Sequence, residues 1–244
     1  MTTIASLKPS GAPTSNVSHA AAGSLLITIM AAAGMALFST AEAVGGDLLQ
    51  RSAVPARMLF LLLLATWLLR LSGSSWREVG LRPPASKIRT FLLVIGGYLL
   101  IGVTFGVLGS VVLPALGIAP KTTEAFAGLT GNTGLYLYLL IVVAWGSAAF
   151  GEELVFRGFL QSRLETAFGS SRTSMALAVL AQAVIFGALH SYQGVGGAIL
   201  AGATGLIIGL VYIAGGRNLW ACILLHGLVD TVSLSAIYFG VAPV

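Results

Sequence analysis

Residues 134–161 read GLYLYLLIVVAWGSAAFGEELVFRGFLQ, an apolar run that passes into two adjacent glutamates, Glu152 and Glu153, and then Arg157. Roughly 20 mostly apolar residues are enough for a helix to cross the hydrocarbon core of a bilayer. This stretch is long enough and apolar enough to do so, yet it carries three charges at its far end. A charge in hydrocarbon costs several kcal/mol, so ionisable groups inside a span face the protein interior and mark candidate function. The fold class therefore turns on whether the rest of the chain also belongs in a membrane.

It does. Only 13 Lys and Arg and 8 Asp and Glu occur among 244 residues, 9% charged against about 25% in an ordinary soluble domain. The hydrophobic fraction is 57% and the mean hydropathy +0.94. Such a chain lacks the charge to cover a water-facing surface, which excludes a soluble enzyme, a disordered chain and a disulfide-stapled scaffold. The pI near 9.7 does not indicate nucleic acid, because the few basic residues sit in short loops between apolar runs. The one cysteine, Cys222, lies inside such a run and offers neither a disulfide nor a thiolate cluster.

Seven candidate spans follow, all read as helices because an open strand would leave its backbone groups unsatisfied in lipid. They lie at about 22–44, 54–72, 90–113, 134–161, 173–190, 196–214 and 218–240. The expected fold is all-α, a polytopic bundle of about seven transmembrane helices. Residues 1–20, with Pro9 and Pro13, read as a disordered tail, and 21–244 as a single membrane domain without internal repeats. Ala41-Glu42-Ala43 resembles a signal-peptidase site, but the preceding polar region is long and holds a single lysine, which favours a retained helix.

Loop charge sets orientation. The segment after the second span carries Arg70, Arg77, Arg82, Lys87 and Arg89 against Glu78 alone, which assigns it to the cytoplasm. Alternation puts 114–133, with Lys121 and Glu124, outside. It puts 161–172 and 215–217 inside, with Arg163, Arg172 and Arg217. The N-terminus is then cytoplasmic. Arg51 and Arg57, in the first external loop, run mildly against the rule. The compact size fits a bacterial plasma-membrane protein.

The intramembrane ionisable groups concentrate in three segments: Glu152, Glu153 and Arg157; His190; and His226 with Asp230. Glu153 and Arg157 are i,i+4 and share a helix face, while Glu152 is rotated about 100° away. One glutamate can be neutralised by the arginine while the other points elsewhere. His226 and Asp230 are likewise i,i+4. A glutamate and two histidines on different helices could activate water by general-base catalysis, with a second group stabilising an oxyanion. They could equally bind a divalent metal such as zinc through Glu152, His190 and His226. Taken singly, each feature also has a bland reading: a structural ion pair, a helix-end histidine, an interhelical hydrogen bond. A proton-coupled transporter could use the same groups. Gly197, Ala201, Gly205 and Gly209 form a small-residue stripe at intervals of four, read as a close helix contact, with a thin cavity wall as the alternative. Trp67, Trp145 and Trp220 read as interface anchors.

Glu152-Glu153-x-x-x-Arg157-Gly158, then Phe186-x-x-x-His190, then His226-x-x-x-Asp230, in that order on successive apolar helices, resemble the three motifs of the CAAX protease and bacteriocin-processing family, also called CPBP or Abi. The segment 75–82, SWREVGLR, resembles its Trp-x-x-x-Gly-Leu stretch. The motif region spans about 150–232. The resemblance implies an intramembrane endopeptidase related to type II CAAX prenyl proteases, acting on a membrane-associated peptide or protein. By that likeness Glu152 activates water with help from His190, His226 and Asp230 stabilise the oxyanion, and Glu153, Arg157 and Phe186 support the site. It leaves open a metal-dependent or metal-free mechanism, and a non-catalytic immunity or scaffold member. One expectation conflicts with this. With the spans above, Glu152 and His190 lie 15 Å or more apart in depth at about 1.5 Å rise per residue, whereas one site needs them within a few ångströms.

Overall fold

The computed structural model describes residues 48–119, 126–169 and 171–241. The expected tail 1–20, the first expected span 22–44, Glu42, Lys121 and Glu124 lie outside them. Among the described residues there is no strand, and six helices are long and apolar enough to cross a membrane. They are α1 (Leu48–Leu71), α2 (Lys87–Ala115), α3 (Thr133–Phe168), α4 (Arg172–Leu189), α5 (Gly194–Ala214) and α6 (Leu219–Tyr238). A single 3-10 turn, Ser191–Gln193, joins α4 to α5.

Local sequence sets the helix starts. Ser86, Asn132, Ser171 and Asn218 each stand at an N-cap in extended conformation, with the side chain accepting a backbone N–H of the first turn. These bonds satisfy donors that lipid could not. The outer faces of α1 and α2 are apolar and exposed, for example Leu59, Leu63, Phe91, Leu92 and Val103, as a lipid-facing surface requires.

α3 is the axis of the bundle. It packs on α1, α4 and α6, and α4 pairs with α5. Its middle, Leu139–Gln161, is wound at the wider π pitch. At Gly187 of α4 a side chain would press within 2.7 Å of the Ala198 carbonyl oxygen on α5, so these two backbones touch.

The basic ends of the helices lie together. Arg163 reaches Ser72 and Ser74, and Arg89 donates to the Ala214 carbonyl at 2.6 Å. The loop 74–82 plugs this end. Trp76 Nε1 donates to Thr66 Oγ1 at 3.0 Å, and its ring lies over Gly158. Tyr212 donates to the Val79 carbonyl at 2.9 Å, and the Leu219 N–H to the Gly80 carbonyl at 3.1 Å. Gly80 has a φ of +111°, and a Cβ there would collide with the Arg217 carbonyl oxygen. The Trp-x-x-x-Gly-Leu segment is thus a structural plug binding α1, α3, α5 and α6.

Two boundaries differ from expectation. α1 begins at Leu48, so Arg57 is helical and not in a loop. Residues 161–168 are not a loop either: α3 runs on through Phe168 and turns only at Gly169. The hydroxyls of Ser162 and Thr166 fold back onto the Gly158 and Ser162 carbonyls, which lets a polar sequence remain helical.

Candidate active site

The longer α3 resolves the conflict in depth. Glu152 lies sixteen positions before Phe168, and His190 eighteen after Arg172. The two arms of the α3–α4 hairpin therefore bring them to one level. Both line a cavity of about 530 Å³, together with His226 and Asp230 of α6. Phe186 shares this wall, and so do Gly197, Ala201 and Thr204 of α5 and Ser147 of α3. The cavity extends past Leu139, Leu234 and Ile237, toward the end of the bundle opposite the basic one.

The two adjacent glutamates have different surroundings. Glu152 faces the cavity, and its Oε2 is buried without a hydrogen bond. Glu153 is fully buried and turned into the bundle: its Oε1 lies 2.8 Å from Arg157 Nη1 and 2.7 Å from His226 Nδ1. The expected Glu153–Arg157 pair exists, and it also anchors the histidine. The Glu153 carboxylate oxygen accepts from His226, so Nδ1 of His226 carries the hydrogen and Nε2 is directed toward Asp230, 3.7 Å away.

His190 is fixed by its own helix. Its Nδ1 lies 2.8 Å from the Phe186 carbonyl oxygen, so that nitrogen donates and, in the neutral ring, Nε2 keeps its lone pair. Phe186 is the packing hub: its ring stacks on His190 at 4.4 Å between centroids, meets Phe156 edge-on at 4.9 Å, and lies under the Arg157 guanidinium at 4.9 Å. A buried cation over a ring face is favourable.

Below the cavity the Glu153–Arg157 pair continues as a polar stripe whose further members, Gln161 and Glu165, the charge pattern had not singled out. Glu153, Arg157, Gln161 and Glu165 follow one another at intervals of four along α3. Arg157 Nη2 donates to the Gly205 carbonyl at 3.1 Å, and Gln182 Nε2 shares that acceptor at 2.9 Å. Gln161 Nε2 reaches Glu165 at 3.2 Å and the Gly209 carbonyl at 3.5 Å, and Glu165 pairs with Arg217 at 2.8 Å. Gln161 and Gln182 are amides in the middle of apolar helices, the signal that would have found them. Both readings of the small-residue stripe hold in part: Gly197 and Ala201 line the cavity, while Gly205 and Gly209 admit the polar side chains. Trp145, read as an anchor, packs on Gly227 and donates to Thr231 at 3.1 Å, joining α3 to α6. Tyr192 and Gln193, from the 3-10 turn, also line the cavity.

Glu152, His190 and His226 share the cavity, but among the described residues no three His, Cys, Asp or Glu side chains form a group that could hold a metal ion. One nitrogen of each histidine is already committed, to Glu153 and to the Phe186 carbonyl. The other ring nitrogen of each histidine is left for the cavity.

No curated protein and no solved structure matches the chain. Residues 134–232 match the family model described as type II CAAX prenyl endopeptidase Rce1-like. That range runs from the start of α3 past Asp230 and contains all three motifs. The helices that build this cavity are thus similar, over residues 134–232, to type II CAAX prenyl endopeptidases of the Rce1-like family.

Proposed function

We propose that the protein is an intramembrane endopeptidase in which Glu152 activates water, without a metal, for attack on a peptide bond of a membrane-associated substrate. One observation supports this reading most: of the two adjacent glutamates, Glu152 alone faces the cavity, while Glu153 is consumed by Arg157 and His226.

Water between Glu152 and the His190 Nε2 lone pair loses a proton to the carboxylate as its oxygen bonds to the scissile carbonyl carbon. The carbonyl oxygen becomes an oxyanion. With both ring nitrogens protonated, His226 donates to it through Nε2, its Nδ1–H held by Glu153. Asp230, opposite Nε2, orients and balances that ring; as a carboxylate it cannot itself donate. Collapse re-forms the carbonyl and breaks the C–N bond, and Glu152 returns its proton to the departing amine. Burial strengthens each of these interactions by excluding water. The loop charges further support a plasma-membrane protein with its N-terminus in the cytoplasm.

The test is a quenched membrane-peptide library presented to wild type and to Glu152→Ala, both shown folded in detergent. Cleavage by wild type alone supports the reading. Equal cleavage by both would overturn it. Folded protein that hydrolyses nothing, but carries solute flux or confers resistance to a bacteriocin, would favour a transporter or an immunity protein.

A further inference from the structure

A second cavity, of about 700 Å³, lies at the basic end of the bundle, away from the proposed active site. Arg163, Arg172 and Arg217 line it, from α3, the start of α4 and the α5–α6 turn, with Glu78, Glu165, Ser162, Ser171 and Met175. Both carboxylates are already engaged. Glu78 Oε2 accepts the Ser75 N–H at 2.7 Å, and Glu165 holds Arg217 Nε at 2.8 Å and Gln161.

The cations are less well matched. Arg163 donates to two neutral hydroxyls, Ser72 at 3.4 Å and Ser74 at 3.2 Å, and its Nε is buried without a hydrogen bond. Among the described residues no carboxylate lies within ion-pair distance of it. Arg217 turns its Nη2 to the Met175 sulfur at 3.6 Å, a weak acceptor. It sits at a φ of +56°, uncommon for a residue with a side chain. Three guanidiniums against two satisfied carboxylates leave the cavity one positive charge in excess. Guanidinium forks suit a phosphate, which offers several strong acceptors. The cavity also lies at the membrane end where helix-flanking basic residues gather, the level of lipid headgroups.

We infer that this cavity binds a phosphate group, supplied by the headgroup of an anionic phospholipid, gripped by Arg163, Arg172 and Arg217. The inference is independent of the reaction performed at Glu152.

The test uses the full-length protein in detergent, offered phosphatidylglycerol, phosphatidylcholine of the same acyl chains, or inorganic phosphate, with binding read by native mass spectrometry and by thermal stabilisation. Phosphatidylglycerol should bind about tenfold more tightly than phosphatidylcholine, and Arg163→Gln and Arg172→Gln should each lose most of that preference. Arg172 is exposed at the helix start, so its variant carries the test if the Arg163 variant misfolds. Arg77→Gln removes an exposed charge from the same end but outside the cavity, and should bind as wild type does. Stabilisation by inorganic phosphate alone, lost in the same two variants, would keep the phosphate site but assign it to a free anion, overturning the lipid source. Equal loss in all three variants, or no preference for the anionic lipid, would overturn the site.

Discussion

Glu153 and His226 stand 2.7 Å apart, from a carboxylate oxygen on α3 to Nδ1 on α6. They are 73 positions apart in sequence, and the contact sets which edge of the imidazole meets the cavity. A glutamate that never touches substrate thereby decides how the histidine presents its other nitrogen. The same oxygen holds Arg157, so a single buried acceptor ties the first motif to the third.

Replacing Glu153 with Gln leaves Arg157 buried without an anion. Breaking one side of a buried pair costs about 3–5 kcal/mol. Glu153→Gln should lower thermal stability by that order and reduce cleavage as well. Glu153→Leu with Arg157→Met, which removes both charges, should recover most of the stability but not the activity. Thermal melts in detergent beside a cleavage assay check both parts. A double variant as unstable as the single one would refute the pairing argument.

Glu152 behaves in the opposite way. Its Oε2 makes no hydrogen bond, so Glu152→Gln breaks no buried bond at that atom and should melt close to the wild-type temperature. Loss of a general base is worth about 10²–10⁴ in rate, and kcat should fall by that range. A variant within threefold of wild type would assign the base elsewhere.

Chelation distinguishes the water-activation chemistries. Since among the described residues no three donors form a group that could hold a metal, prolonged treatment with a strong chelator should leave cleavage within a factor of about two, within ordinary assay scatter and far below the several kcal/mol a catalytic metal supplies. A large loss restored by zinc would overturn the metal-free reading.

Close approach of α4 and α5 predicts a contrast between two glycines. Gly187→Ala puts a methyl group against the Ala198 carbonyl and should cost about 1–3 kcal/mol. Gly102→Ala, on α2 with nothing within 4 Å, should be neutral or stabilising by about 0.5 kcal/mol. Equal effects at both sites would show that helix propensity, not contact, governs them.

Much of this was legible in the residues. Hydropathy located the six described spans because the lipid-facing sides of α1 and α2 are apolar throughout. Concentrated charge in a chain poor in charge pointed to Glu152, His190, His226 and Asp230, which do share one cavity. The depth of the site was not legible. A hydropathy reading ends α3 near Gln161, because Ser162, Arg163, Glu165 and Thr166 look like a loop. In the fold Ser162 and Thr166 bond to helix carbonyls, Glu165 to Arg217, and Arg163 reaches Ser72 and Ser74 with its Nη groups while its Nε stays unpartnered. A count of charged residues also passes over Gln161 and Gln182, neutral side chains whose placement matters only once α5 presents Gly205 and Gly209 to them.

The polar stripe on α3 has a mechanical consequence. A purely apolar helix in lipid can slide or roll at little cost, since one greasy face resembles another. α3 cannot: each of Glu153, Arg157, Gln161 and Glu165 meets a fixed acceptor or donor on α5, α6 or the α5–α6 turn. Advancing the helix by one residue, or rolling it by a fraction of a turn, would strand several of them together in a medium without water. The stripe acts as a toothed rack, and Glu152 rides on it, so the height of the reactive carboxylate in the bilayer is indexed to protein contacts and not to the thickness of the surrounding lipid.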